Sequence, residues 1–366
     1  MGRGRSIKTI LAVILISALC ASGLLLLSDR LWAALSKPKY EFQKGICYVT
    51  YSPTRFASTA SDNSLKEMSK TGAKWVAIAT TWYQDRRNTT DIYPTEKTPN
   101  DLSMIRAIQT AHSLGMKVMI KPHLDISDTS DGSWRGEICC INDADWKTWF
   151  ESYQKFILHY AKMAQENNVE LFCIGTELVY ATNMKPKMWR EYVIKPVKEA
   201  YKGPLTYAAN WDDEYNRVKF WNELDYIGID AYFPLSEDNP RPTLEEIKKG
   251  WEPWFKDIEE LQAVENKPVI FPEVGYCSAK WTTKQPYEEV AKGEVDLELQ
   301  ADCYTALLET FWNKDWFYGV YWWKWGTDVK FGGPGNRGYY LQNKPAQKVV
   351  ANWYKNRSVS KKKKYE

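Results

Sequence analysis

The sequence predicts an α/β fold, a single (β/α)8 barrel. Eight strand-like runs alternate with eight amphipathic segments between residues 40 and 357, with no short repeat or low-complexity linker between them. A span of that size is ordinary for one such barrel. Polar residues gather at the C-terminal ends of several strands, where barrels of this type place their sites. An open doubly wound sheet is the alternative, and the count of eight favours the barrel.

The first strand is read at 44–51 (KGICYVTY), followed by a helical pattern at 62–71. The second, 74–82 (KWVAIATTW), leads to a helix over 101–114 that Asp101 opens and Gly115 closes. The third, 116–125 (MKVMIKPHLD), precedes a long helix over 143–167 with Asp143 at its start. Strands 4, 5 and 6 are read at 169–178, 203–211 and 226–234, followed by helical patterns at 186–201, 214–223 and 243–265. Strands 7 and 8, at 267–276 and 317–326, precede helices at 296–315 and 345–356. Period-two alternation groups Cys173, Gly175 and Glu177 on one face of strand 4. It groups Gly228, Asp230 and Tyr232 on strand 6, and Val269, Phe271 and Glu273 on strand 7. The opposite faces carry Phe172, Ile174, Ile227, Ile229 and Ile270, as expected where strands meet outer helices.

The flanks differ from this body. Arg3, Arg5 and Lys8 precede twenty uncharged, mostly apolar residues, Thr9 to Ser28. As a helix that run is roughly as long as the hydrocarbon core of a bilayer is thick. Residues 1–36 are therefore read as a membrane anchor, with the following domain outside the cytoplasm. A cleaved signal peptide, giving a secreted protein, is the rival reading. Residues 358–366 read as a basic disordered tail. Residues 1–36 and 360–366 each carry a net +3, which leaves the body at −3 in a chain of +3 overall. A nucleic-acid partner is excluded on that ground, because the basic footprint is missing where a groove would lie. Eighteen Trp and 23 Tyr exceed the needs of a core and suggest surfaces that stack on sugar rings. Seven Cys show no CxxC or Cys/His zinc spacing, and one or two disulfides are allowed without being specified.

Several chemistries drop out. Of three His, His112 and His159 fall in helices, so His123 alone cannot build a Ser-His-Asp triad or a zinc trio. The FGGPGNRG segment at 331–338 neither opens a helix nor carries a Lys-Ser/Thr pair, and reads as a rim loop. Glu177 and Glu273 remain, each ending an apolar run where an acidic residue is costly to place without chemistry or a partner. Two such residues fit the paired carboxylates that cleave glycosidic bonds. Around them lie Lys121, His123 and Asp125 on strand 3, and Asn210, Trp211 and Asp212 on strand 5. Strand 6 offers Asp230 and Tyr232, and strand 8 offers Trp322, Trp323 and Trp325, the last two sharing parity. The loop SDGSWRGEI (130–138) adds Trp134 and Arg135 as mouth residues.

The strings GICYVTY, KPHLD, WRGEI, FCIGTEL, DAYFP, FPEVGY and YWWKW, in this order, resemble the clan A retaining glycoside hydrolases. They look most like glycoside hydrolase family 113, whose characterised activity is β-1,4-mannanase, over about residues 42–356. The resemblance implies Glu177 as general acid/base, Glu273 as nucleophile, and Tyr232 as hydrogen-bond donor to the nucleophile. It also implies Trp323 or Trp325 as the floor under the reacting sugar. His123, Asn210, Trp211, Asp230, Trp134 and Arg135 complete the expected substrate-binding set. Many clan members carry Asn immediately before the acid/base; here that residue is Thr176, so contact to the sugar 2-hydroxyl is expected from elsewhere. The implied reaction proceeds with retention, which places the two carboxyl groups about 5–5.5 Å apart. No metal or cofactor is required, and the expected partners are mannan or glucomannan and, through the N-terminus, a membrane. A monomer is expected. The alternatives are an exo-acting β-mannosidase, a β-glucanase, or an inactive tethered barrel that only binds polysaccharide.

Overall fold

The computed structural model describes residues 40–289 and 293–358. The expected anchor (1–36) and nearly all of the expected tail (358–366) lie outside these residues. Among the described residues, no helix is long and apolar enough to cross a membrane. Eight parallel strands close into a barrel in sequence order, β8 pairing back on β1. They are β1 (Gln43–Val49), β2 (Trp75–Gln84), β3 (Lys117–Ile126) and β4 (Leu171–Thr176), then β5 (Leu205–Asn210), β6 (Ile227–Asp230), β7 (Val269–Val274) and β8 (Phe317–Gly326). The outer layer comprises α1 (Thr59–Lys70), α2 (Asp101–Ser113), α3 (Asp143–Glu166), the short α4 (Val179–Met184) and α5 at 186–200, which contains a π-helical stretch. It continues with α6 (Glu214–Arg217), α7 (Leu244–Glu265), α8 (Leu297–Phe311) and α9 (Pro345–Asn356).

Side-chain caps set several helix starts. Asn100, Asn142 and Asp296 each accept a backbone N–H from the first turn of their helix, and Thr243 with Glu246 forms a capping box. Strand 6 is shorter than its apolar run suggests, so Tyr232 stands beyond the ladder. Six described cysteines are free, and Cys139 and Cys140 are not bridged. Much of the aromatic surplus lies between barrel and helices: Trp146, Trp149, Trp189, Trp221, Trp251, Trp312, Trp322 and Trp325 are wholly buried. Trp251, for example, stacks over Phe271 and meets Phe311 edge-on.

Three strands depart from regular alternation just below the mouth. Against β5, β4 advances three residues (Cys173 to Thr176) while its partner advances two. Against β6, β7 does the same between Ile270 and Glu273, and against β1, β8 does so between Trp322 and Trp325. Each break inserts one extra residue and reverses the facing of the strand positions beyond it. The shared faces expected for strands 4 and 7 are corrected accordingly. Phe271 points outward onto Trp251 and Phe311, while Glu273 points into the mouth. Gly175 also faces the helices: a Cβ there would lie 2.7 Å from the Tyr153 hydroxyl and 3.0 Å from the Trp189 ring.

Candidate active site

Glu177 lies one residue past β4 with φ at 53°, a conformation uncommon for a residue with a side chain. Its N–H donates to the Ala208 carbonyl at 2.8 Å, and the Leu178 N–H donates to the Tyr207 hydroxyl at 2.7 Å. The carboxyl reaches back into the mouth. Its Oε1 accepts from Asn210 Nδ2 at 2.8 Å, and its Oε2 lies 3.5 Å from Arg135 Nη1.

Glu273, from the bulged end of β7, has three partners. Its Oε2 accepts from the Tyr232 hydroxyl at 2.8 Å. Its Oε1 accepts from Lys121 Nζ at 2.5 Å and lies 3.2 Å from His123 Nε2. Lys121 rises from the barrel interior, wholly buried, and also donates to Asp230 Oδ2 at 3.0 Å. The His123 ring lies parallel to Trp323 with centroids 5.9 Å apart. Its Nδ1 is 3.5 Å from Arg135 Nη1, which also faces Glu177, and Arg135 Nη2 donates to Asp125 Oδ2 at 3.2 Å. Glu273, His123, Arg135 and Glu177 thus form a continuous chain of polar contacts across the mouth.

These surroundings treat the two carboxyls oppositely. Burial pushes the Glu177 carboxyl up and the charge on Glu273 adds to this, with Arg135 pulling the other way; the net displacement is upward. Burial also acts on Glu273, but Lys121 and the His123 hydrogen bond overcome it and hold that carboxyl well below the usual range. Lys121 stays charged because Asp230 and Glu273 outweigh its burial. Burial and the Lys121 charge bring His123 down to about 4. A neutral ring that donates from Nε2 to Glu273 and accepts at Nδ1 from Arg135 satisfies both contacts.

The remaining expected residues divide. Trp323 faces the mouth beside His123. Trp325 does not: its ring is buried on the outer side, and its Nε1 donates to Ser64 Oγ of α1 at 2.9 Å. The extra residue in β8, where the Trp323–Lys324 peptide is cis, breaks the parity the two were expected to share. Asp230, the strand partner of Glu273, is fully buried and holds Lys121 instead of facing a ligand. Trp211 stands past β5, stacked on Tyr287 with centroids 5.3 Å apart. Trp134 is 41% exposed on the rim, its ring over Gly136, where a Cβ would come within 2.4 Å of it. Thr176 is buried, and the amide beside Glu177 comes from Asn210 on the neighbouring strand. The sequence places Lys121 near the two carboxyls but not in the expected substrate-binding set, although a lysine inside the apolar run MKVMIKPHLD must find an anion or lose its charge. Among the described residues no group of three or more His, Cys, Asp or Glu is arranged to hold a metal ion.

The family model for Glycoside Hydrolase Family 113 matches residues 48–344. The chain belongs to glycoside hydrolase family 113. A solved GH113 β-1,4-mannanase is 30% identical, with 87% of this chain and all of that one covered at a TM-score of 0.77. The GH113 β-mannanase AaManA from Alicyclobacillus acidocaldarius, in complex with ManMIm, is 27% identical over 87% of this chain and 99% of its own, also at 0.77. A GH5_18 protein from Bifidobacterium longum, 14% identical at a TM-score of 0.60 and covered over 87% and 79% of the two chains, shares the fold. Among the curated proteins none matches. As a family 113 member the protein is a glycoside hydrolase, and its substrate is an oligosaccharide or polysaccharide.

Proposed function

We propose that this glycoside hydrolase is an endo-β-1,4-mannanase that works by double displacement. The observation that carries the mechanism is the opposite displacement of the two carboxyls, Glu177 upward and Glu273 downward, within one connected site. Glu273, ionised, attacks the anomeric carbon as the glycosidic C–O bond breaks, and the departing oxygen takes the proton of Glu177. Glu177, now a carboxylate, then removes a proton from water. That water attacks the same carbon and releases Glu273, which restores both groups with net retention. Tyr232, Lys121 and His123 keep the Glu273 carboxylate aimed and stabilise its charge before attack. Trp323 supplies a flat apolar face for the sugar held there. The mannan preference is supported by the named activity of the GH113 relatives.

The test is turnover of mannan, glucomannan and mannooligosaccharides, with the anomer of the first product read by NMR. Mixed oligomers early in the reaction, released with retained configuration, are expected. Release of single mannose units would give the exo reading, cleavage of β-glucan alone the glucanase reading, and an inverted product would end the double-displacement mechanism. A mechanism-based fluorosugar is expected to label Glu273. Absence of both turnover and label with every sugar would leave a polysaccharide-binding barrel. The apolar run Thr9–Ser28 after Arg3, Arg5 and Lys8 supports a membrane tether with the catalytic domain outside the cytoplasm. Retention of the intact chain in washed membranes is the corresponding check.

A further inference from the structure

We propose that Glu214 is the positioning residue that holds Glu177 in its working geometry, an inference that rests on the acid/base role given to Glu177 above. Glu214 opens the short α6, is 1% exposed, and has both its oxygens occupied by protein donors, which leaves it out of reach of a sugar. Burying a carboxyl is costly unless its oxygens are satisfied, and burial pushes this one up to about 7 against the pull of its donors. Its bonds all lead towards Glu177. Oε2 accepts the Asn210 N–H at 2.6 Å, and the Asn210 side chain donates to Glu177 Oε1 at 2.8 Å. Oε1 accepts the Tyr207 hydroxyl at 2.7 Å, and that hydroxyl accepts the Leu178 N–H at 2.7 Å, directly after Glu177. The same Oε1 accepts Thr182 Oγ1 at 2.7 Å, from the helix that follows Glu177.

These bonds hold three things in place: the amide that orients the acid/base carboxyl, the backbone just after it, and the helix beyond. Such support is needed because Glu177 sits at φ 53°, a conformation that persists only where the surroundings over-determine it. Position matters in turn, since proton delivery fails when the donor is misplaced by a fraction of an ångström. In its ionised form Glu214 serves both sides at once, because it is then acceptor-only and the Asn210 N–H, the Tyr207 hydroxyl and Thr182 Oγ1 all donate to it. In Glu214→Gln, the NH2 replaces one acceptor, so Asn210 or the Tyr207–Thr182 pair loses its anchor.

The test separates positioning of the acid from general support of the fold. Aryl β-mannooligosaccharides are compared in the full chain, wild type against Glu214→Gln, with 2,4-dinitrophenolate and with a poor leaving group. Departure of dinitrophenolate needs no proton, so its kcat/KM should stay near the wild-type value. For the poor leaving group kcat/KM should fall by about 10–100-fold. Tyr207→Phe removes the Leu178 link while keeping the ring, and should show the same split with a smaller fall, which keeps the test open if Glu214→Gln does not fold. Equal losses for both leaving groups, or no loss with the poor one, would overturn the role of Glu214. A wild type inert on every aryl mannoside would instead overturn the mannanase reading, and this inference with it.

Discussion

The β2–β3 wall and the wall built from β4, β7 and β8 obey different rules. From Trp75 opposite Lys117 to Gln84 opposite Ile126, β2 and β3 pair through ten consecutive positions without a break. Lys121, His123 and Asp125 alternate regularly along β3, and each faces the site. In contrast, β4 and β7 each insert one residue before delivering Glu177 and Glu273, and Trp323 lies within the insertion in β8. The regular wall supplies the fixed charge and the imidazole; the broken wall supplies the groups given the bond-making roles. Bulges concentrate where a side chain must be re-aimed, and here they lie directly under the mouth.

The sharpest way to break this comparison is at the two carboxyls. Glu273→Gln is expected to lower kcat at least about 10⁴-fold, and Glu177→Gln about 10²–10⁴-fold with unactivated substrates. Equal, mild losses in both would remove the distinction between nucleophile and acid. The regular wall is tested next through Lys121. Lys121→Met leaves Asp230 and Glu273 buried without their cation, which should cost about 3–5 kcal/mol in denaturant unfolding. Adding Asp230→Asn should recover much of that stability while activity stays low, because Glu273 would still lack its charged donor.

The bulges themselves are tested by paired substitutions. Trp323→Ala is expected to lower kcat/KM about 10²-fold. Trp325→Phe should leave the kinetics intact and cost about 1 kcal/mol of stability through its lost bond to Ser64. The reverse pattern would show that β8 runs without its extra residue. The smallest effect expected is on pH dependence. Arg135 favours the charged form of Glu177, so Arg135→Met should raise that pKa and move the alkaline limb of kcat/KM upward by about one pH unit. A downward movement would place Arg135 elsewhere during the reaction.

The same contrast explains what could be read from the sequence. Strand count, strand order and most helix starts are legible, because alternation of strand and helix leaves a local imprint and so do openers such as Asp101 and Asp143, each one residue past the capping side chain, Asn100 or Asn142. Glu177, Glu273 and Tyr232 were legible as polar ends to apolar runs. Period two failed at Phe271, Gly175 and Trp325, because an inserted residue reverses facing without leaving a compositional mark. Asp230 is legible as a polar residue on the inward face, but alternation gives the side of a strand and not the depth, and its carboxyl is buried against Lys121. Glu214 is legible only as the start of the helical pattern at 214–223, where DDEYN looks solvated, and only tertiary packing buries its carboxyl. The tryptophan surplus suggested sugar-stacking surfaces, yet the structure assigns much of it to the interlayer, where large rings fill the space between barrel and helices.

The buried Lys121 unit also bears on how such a protein can change over generations. Its three charged groups come from three different strands and none can vary alone, so the attacking half of the site is resistant to drift. The departing half is addressed by Arg135 from a loop whose neighbour Trp134 already meets solvent. Exchanging that loop offers a route to new sugar preferences while leaving the Lys121–Asp230–Glu273 unit intact.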